Sequence, residues 1–472
     1  MTPAASDVMA GVSGVRGITG RGMTPAVAAA YAAACADLWA RGPIVLARDT
    51  RASGVELRRA VVTALLEAGR DVIDLGIVPT PTLLMHADLL DTAGGIMITA
   101  SHNPIEWNGL KFAAPTGRYL APEASRELIR RVAEQIGTTP ATAAAGETGE
   151  AARPGSAEPE EPPLDTEAAA RHAARVVAAA GVDVGALAAA GMTVAVDGGG
   201  GAAALTLPAF LEEHGVRVHR LYCEPDGTFP RPPEPLPDAL TDLSRLVVDT
   251  GAELGLALDP DGDRLALVGP DGTPWGEEMT LALAARQVLE TSPGPLVVNL
   301  STSRMIEDIA ARAGVQVHRT PVGEINVVEG MLAAGARLGG EGNGGVIHAD
   351  VVMGRDALVG AALVLTALAR TGSKAERLLD GIPRYALLKL RYALPAGGRE
   401  ELAESLPRLT ELLPRARVDD RDGYRLALPD RWVHVRPSNT EPIVRLLVEA
   451  PSEAEARRLA DEVAERCDLY HE

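Results

Sequence analysis

The sequence predicts an α/β protein of three similar α/β domains and a smaller C-terminal α+β domain. Three observations carry this. One pattern of strand, polar turn, helix, glycine and strand occurs three times along the chain. From about Arg384 onward the order of elements changes. The 472 residues also exceed what one hydrophobic core organises, so about three or four domains are expected. A hydrophobic content of 46% and a charged content of 23% are those of a soluble globular chain, and aromatics at 3% leave Ala, Leu and Val to fill the cores.

In the first unit, 43–47 reads as a strand, Arg48-Asp49-Thr50-Arg51 as a polar turn, and 53–68 as a helix stopped by Gly69 before a strand at 72–75. The second runs from strand 192–196 through Asp197-Gly198-Gly199-Gly200-Gly201 and a helix to His214, then Gly215 and strand 216–221. The third runs from strand 296–299 through Leu300-Ser301-Thr302-Ser303 and a helix to Ala313, then Gly314 and strand 315–318. Residues 357–369 are apolar but broken by Gly360 and Thr366. They fall short of the about 20 residues a bilayer span needs and read as a buried helix. The last part predicts a helix at 400–413, strands at 423–428 and 432–435, and a closing helix at 452–467. Domains are expected at 1–136, 166–273, 274–382 and 383–472, with the acidic Pro- and Ala-rich stretch 137–165 as a linker or insertion.

A net charge of −19 argues against nucleic acid and against an anionic membrane surface as partners, but not against a small anion in a locally basic cleft. Cys35, Cys223 and Cys467 lie far apart without metal spacing, which predicts free thiols in a reducing cytoplasm. The first residues show neither a basic nor an apolar leader segment.

Five stretches carry candidate chemistry. Gly11-Val12-Ser13-Gly14-Val15-Arg16-Gly17 reads as a glycine loop that presents Arg16. Thr99-Ala100-Ser101-His102-Asn103-Pro104 follows the apolar strand 95–98 and ends in a helix-barring Asn-Pro, so Ser101 is held at a strand end beside His102. No Gly-x-Ser-x-Gly elbow surrounds it, which disfavours a serine hydrolase. Lys111 follows ten residues on. It is one of three lysines among 45 basic residues, and lysine, unlike arginine, gives up its proton near neutral pH when its pKa is lowered, which makes Lys111 a candidate for proton transfer.

Asp259-Pro260-Asp261-Gly262-Asp263-Arg264 follows the apolar run 254–258. Carboxylates at i, i+2 and i+4 after a strand can converge on one hard cation. Arg264 and Pro270 occupy the positions where an EF-hand needs Gly and Glu, so an EF-hand is excluded. An open tri-carboxylate set suits Mg²⁺, which takes part of its shell from substrate or water. An acidic turn is the competing reading, and it leaves three close carboxylates repelling each other. Gly339-Gly340-Glu341-Gly342-Asn343-Gly344-Gly345 lacks the Lys and Ser/Thr of a phosphate loop; Glu341 and Asn343 on a flexible backbone suit sugar hydroxyls. Arg436-Pro437-Ser438-Asn439-Thr440-Glu441-Pro442 gathers a guanidinium, two hydroxyls and an amide, a donor set for a phosphate dianion.

The serine, tri-Asp, sugar-type and phosphate-type stretches fall one per domain, in order. On these residues the chain resembles the α-D-phosphohexomutases, the family of phosphoglucomutase, phosphomannomutase and phosphoglucosamine mutase, over its whole length apart from the acidic insertion. The resemblance implies four domains around a central cleft and interconversion of hexose 6-phosphate and hexose 1-phosphate through a phosphoserine enzyme and a hexose 1,6-bisphosphate. It implies that Ser101 is phosphorylated, that Asp259, Asp261, Asp263 and a phosphoserine oxygen hold Mg²⁺, and that Arg16 and Lys111 flank the reacting phosphate. Lys111 and His102 would assist proton transfer, Glu341 and Asn343 grip the sugar, and Arg436, Ser438, Asn439 and Thr440 hold the phosphate not in transfer. Arg264 would be a further phosphate contact.

One departure stands out. Many members read Glu-x-Ser-Gly-His in the sugar loop, where this chain has Glu341-Gly342-Asn343-Gly344-Gly345. With Gly354-Arg355-Asp356-Ala357-Leu358, this resembles a branch taken to be phosphoglucosamine mutases. Glucosamine phosphate is the expected substrate, with mannose and glucose phosphates as alternatives, in a cytoplasmic monomer or homodimer. A sugar-phosphate phosphatase and a non-catalytic sensor are the rival classes.

Overall fold

In a computed structural model of the chain, residues 8–136, 161–372, 374–395, 397–438 and 443–469 are described. The chain divides into two compact units, Met1–Ser292 with Gly344–Leu378, and Pro293–Asn343 with Leu379–Glu472.

The first unit opens with a six-stranded mixed sheet of β1 (Val8–Gly11), β2 (Gly14–Ile18), β3 (Ile44–Arg48), β4 (Val72–Ile77), β5 (Gly94–Ile98) and β6 (Trp107–Ala113), in the order β1-β2-β6-β5-β3-β4. β3 pairs parallel with β4 and β5, while β6 runs antiparallel to β5 and β2. Every residue of β5 is buried, as expected of a strand covered on both faces. Helix Pro25–Leu38 starts where Thr24 accepts the Val27 N–H and Pro25 supplies a preset φ. It packs with helix Gly54–Glu67, and Tyr31, Leu57 and Val61 are buried in the core they share.

The glycine stretch around Arg16 was expected to be a loop and is instead a β-hairpin. Gly14, at φ 112°, makes the turn, and a Cβ there would stand 2.2 Å from the Leu110 carbonyl oxygen of β6. Arg16 is thus fixed on β2 opposite Gly109.

The expected linker lies outside the described residues over 137–160. Its last residues are bound to the first sheet, with Leu164 bridging Asp74 and Glu161 paired with Arg58. The second sheet follows, β7 (Thr193–Asp197), β8 (Arg217–Leu221), β9 (Leu254–Leu258) and β10 (Leu265–Val268), in the order β10-β9-β7-β8. β9 and β10 form an antiparallel hairpin whose turn is the tri-Asp segment.

In the second unit β11 (Leu296–Asn299), β12 (Val317–Thr320) and β13 (Leu338–Glu341) are parallel, in the order β12-β11-β13. The next elements belong to the first unit: the hairpin β14 (Gly345–His348) and β15 (Val352–Arg355), and helix Ala357–Arg370, buried over nearly all its length as expected. The second unit closes with an antiparallel sheet of β16 (Ala386–Ala393), β17 (Arg417–Asp419), β18 (Tyr424–Ala427), β19 (Trp432–Pro437) and β20 (Ile443–Ala450), in the order β16-β20-β19-β18-β17. The helix expected at 400–413 is α-helical only over Gly398–Ser405 and tightens to 3₁₀ over Leu406–Glu411, because Pro407 has no N–H to continue the ladder. Among the described residues no helix is long and apolar enough to cross a membrane, and the three cysteines are free and buried.

His434 on β19 is fully buried, with Nε2 2.6 Å from the Asp422 carbonyl oxygen and Nδ1 2.9 Å from Ser301 Oγ. This network fits a neutral ring that donates from Nε2 and accepts at Nδ1. Burial, reinforced by Arg436 and Arg425, pushes its pKa from 6.5 down to about 4. The unfolded chain therefore binds a proton below pH 6.5 that the folded protein refuses until about pH 4, so stability is lost as pH falls through that window. We expect His434→Gln to remove on the order of 2 kcal/mol of this acid sensitivity. Urea midpoints of both proteins at pH 7 and pH 4.5 check it; parallel losses would contradict it.

Candidate functional site

Ser101 stands just beyond the end of β5 at φ 51°, a left-handed conformation that a non-glycine residue adopts only when its surroundings impose it. What imposes it is Arg51, which is fully buried. Its Nη2 donates to the carbonyls of Ser101 and Asn103, both at 2.7 Å, and its Nη1 to those of Pro104 at 2.7 Å and Trp107 at 2.9 Å. Asp49 holds Arg51 Nε at 3.1 Å and also accepts from Thr99 Oγ1 at 2.7 Å, while Thr99 Oγ1 accepts the Ser101 N–H at 2.9 Å. The Arg48-Asp49-Thr50-Arg51 stretch, read from sequence only as a polar turn, is therefore the clamp that shapes the serine loop. Its position at the carboxyl end of a parallel strand, where α/β folds build their sites, was the available signal.

The three aspartates converge as their spacing predicts. One oxygen each of Asp259, Asp261 and Asp263 lies within 4.8 Å of the others, and all three residues are buried. Gly262, at φ 68°, turns the loop against Pro79. Asp259 Oδ1 accepts the N–H groups of Asp263 and Arg264. Asp261 Oδ2 accepts from Thr80 Oγ1 and Lys111 Nζ, both at 2.7 Å. Arg355 Nη2 meets Asp263 Oδ2 at 2.6 Å. This leaves Asp259 Oδ2, Asp261 Oδ1 and Asp263 Oδ1 buried without hydrogen-bond partners. Three close carboxylates that each keep an orphaned oxygen fit a divalent cation, so the triad could bind a metal.

Electrostatics sets the roles apart. Burial, then the other two carboxylates, raises Asp259 well above the carboxylate range. Burial would raise Asp261 as well, but Lys111 more than offsets it and the group is held low. Lys111 differs from the expectation of a deprotonating lysine. Its burial, which alone would lower it, is outweighed by Asp261, Tyr119 and Asp263, so the ammonium stays protonated. His102 is instead the uncharged partner: burial, then Arg264, Arg16 and Arg355, drives its pKa well below 6.5. Its Nδ1 lies 3.3 Å from Ser101 Oγ and 3.1 Å from Arg264 Nη2. Arg264 also pairs with Glu234, and Arg16 Nη1 donates to Asn103 Oδ1 at 2.8 Å. Ser101, His102, Arg16, Lys111, Arg264 and the triad thus sit in one cluster. Arg355, quoted from sequence as part of a branch pattern but given no role, joins it.

The remaining predicted residues belong to the second unit. Glu341, at the end of β13, is buried, with Oε1 accepting from Asn299 Nδ2 at 2.8 Å and the Gly323 N–H at 3.2 Å. Asn343 Nδ2 is 3.4 Å from Glu341 Oε2, and Lys389 Nζ donates to the Gly342 carbonyl at 2.9 Å. The backbone expected to be flexible is instead held from both sides, with Gly342 N–H on Thr302 Oγ1. Arg436 lies within β19, its Nε 3.1 Å from Asp422 Oδ2, and Ser438 is buried beside it with its carbonyl on Arg399. Asn439 and Thr440 lie outside the described residues.

Four family models match in order: phosphoglucomutase/phosphomannomutase alpha/beta/alpha domains I, II and III at 7–138, 154–272 and 276–385, and the C-terminal domain at 399–466. The chain belongs to the phosphoglucomutase/phosphomannomutase family. It is 38% identical to a Methanopyrus kandleri protein named "Probable phosphoglucosamine mutase", over 97% of this chain and 98% of that one. It is 37% identical to the phosphoglucomutase/phosphomannomutase of Thermococcus kodakarensis over 95% of each. A solved phosphoglucomutase/phosphomannomutase family protein of Burkholderia thailandensis superposes with a TM-score of 0.80 at 27% identity, covering 98% of both chains. The expected four-domain α/β architecture of this family is borne out.

The clamp yields a direct expectation. Arg51→Ala leaves Asp49 buried and unpaired and four carbonyls unsatisfied, and should cost about 3–5 kcal/mol of stability. Arg51→Lys cannot serve four acceptors on two sides and should lose nearly as much. Chemical denaturation measures both; a loss under about 1 kcal/mol for Arg51→Ala would contradict the clamp.

Proposed function

We propose that the protein is a phosphohexomutase that interconverts hexose 6-phosphates and hexose 1-phosphates, with Ser101 as the phosphoryl carrier. The observation that carries the reading is the charge balance around Ser101. Four cationic side chains, Arg16, Lys111, Arg264 and Arg355, gather about three carboxylates that still have open oxygens. With a divalent cation on the triad the cluster is in positive excess, which a phosphoserine and a phosphorylated substrate would balance.

Asp259, Asp261 and Asp263 would hold Mg²⁺, with a Ser101 phosphoryl oxygen as a further ligand. The bound ion would neutralise charge on the phosphoryl group. A sugar hydroxyl attacks phosphorus, the P–O bond to Ser101 Oγ breaks, and the hydroxyl proton ends on Oγ. Neutral His102, 3.3 Å from Oγ, carries that proton, while Lys111 and Arg16 stay charged and hold the phosphoryl oxygens. The resulting 1,6-bisphosphate returns its other phosphate to Ser101. Glu341 and Asn343 are assigned to the sugar hydroxyls, and Arg436, Ser438, Asn439 and Thr440 to the phosphate that is not reacting. We assign domains at 1–136, 166–273, 274–382 and 383–472, and a reducing cytoplasmic setting in keeping with three free thiols.

Glucosamine 6-phosphate is the preferred substrate in this reading. Its support is the Glu341-Gly342-Asn343 variant and the name carried by the Methanopyrus kandleri relative. Glucosamine, glucose and mannose 6-phosphates offered together, with Mg²⁺ and a trace of hexose 1,6-bisphosphate, test it by phosphorus NMR. Dominant glucosamine 1-phosphate is expected, and Ser101→Ala should lower turnover by roughly 10³-fold or more. Comparable formation of all three products would overturn the sugar assignment, and inorganic phosphate as the sole product would overturn the mutase.

A further inference from the structure

The second unit contains a cavity of about 950 Å³ unrelated to the residues assigned above. Arg304, Glu307 and β12 line one wall, and residues between Arg415 and Trp432 line the other. None of Glu341, Asn343, Arg436 or Ser438 borders it.

The register of the C-terminal sheet explains its chemistry. Asp419 faces Arg425 across β17 and β18, Arg417 faces Ala427, and Ala427 faces Trp432 across β18 and β19. Alternation along each strand puts these side chains on one face. Six arginines line the cavity: Arg304, Arg319, Arg415, Arg417, Arg421 and Arg425. Three are neutralised, Arg319 by Glu307, Arg421 by Asp419 and Arg304 by Asp308. The side chains of Arg415, Arg417 and Arg425 have no ion pair or hydrogen bond among the described residues, against one lining carboxylate, Asp420, in the same condition.

Arg425 is the informative one. It is 7% exposed, its guanidinium stacks 4.9 Å from the Trp432 ring centroid, and its Nε is buried without a partner. Trp432 is fixed in turn by its Nε1–H bond of 2.7 Å to Glu449. Burial, then Arg319, lowers the Arg425 pKa to about 9, and Glu307, Glu449 and Asp419 offset this only in part. A buried guanidinium without a direct ion pair is costly, and a bound anion would reduce that cost. A single phosphate would occupy little of a cavity near the upper end of small-molecule sites, about 300–1,000 Å³. Val317, Val418, Leu428 and Pro429 supply apolar wall for an organic portion.

We propose that this cavity is a second anion site, which takes an organic polyphosphate through Arg425, Arg417 and Arg415. It is separate from the phosphohexomutase residues and does not depend on that activity. Because its walls come from the third and the C-terminal domains, an occupant would tie the two together.

Calorimetric titration of the full chain with ADP, in EDTA and at low salt, is the test. One equivalent should bind. The affinity should fall at least tenfold in Arg415→Ala/Arg417→Ala, whose sites are exposed and whose fold is safe, and in Arg425→Leu. It should stay within twofold in Arg436→Ala. Inorganic pyrophosphate should bind severalfold more weakly than ADP. Unchanged affinity in the double variant, loss of binding in Arg436→Ala, or no binding to the wild-type protein at millimolar ADP would overturn the site. Equal affinity for pyrophosphate would overturn its organic portion.

Discussion

Three buried carboxylates with oxygens within 4.8 Å of one another are the constraint on which the serine-bearing unit depends. Asp259, Asp261 and Asp263 repel one another, and burial makes that repulsion strong. The chain answers with cations from three places: Lys111 on β6, Arg264 in the Asp loop and Arg355 at the end of β15. Lys111 Nζ lies 2.7 Å from Asp261 and 3.5 Å from Asp263, so a strand of the first sheet and the turn of the β9–β10 hairpin are fastened through one ammonium. The open oxygens that remain are those a metal would take. Burial, with Arg264, Arg16 and Arg355, lowers the His102 pKa, while the aspartates of the triad raise that of Lys111.

The serine loop shows a second kind of economy. Ser101 is held in a strained conformation, and the strain is sustained by Arg51, whose guanidinium satisfies four carbonyls that a tight turn would otherwise leave open. Asp49 ties that guanidinium to Thr99, so the turn after β3 and the loop after β5 are bonded together. A serine presented this way has little backbone freedom left to lose.

Much of this was legible in the sequence because it rests on local rules. The strand–turn–helix–glycine repeats fall within a few residues of their predicted places, since apolar runs and glycine stops are local signals. The triad was legible because i, i+2, i+4 spacing after a strand admits few geometries. What escaped depends on distant partners. Arg51 reveals itself only through carbonyls some fifty residues away, and Arg355 through Asp263. The Arg16 segment looked like a loop because its glycines mask a hairpin held by β6. β16 and β20 were missed, although they pair over eight residues from Ala386–Ala450 to Ala393–Ile443. The direction of the Lys111 shift was not legible, because residue type shows that a lysine can shift while only its neighbours, Asp261 and Asp263 among them, decide the direction.

Mn²⁺ binding followed by electron paramagnetic resonance tests the central claim most directly, with full-length protein and with Asp259→Asn, Asp261→Asn and Asp263→Asn. The account predicts one bound Mn²⁺ per chain, displaced by Mg²⁺, with affinity reduced about tenfold or more in each variant. Wild-type affinity in all three variants would contradict it, because the buried carboxylates would then be a structural turn and the cations around them mere neutralisation.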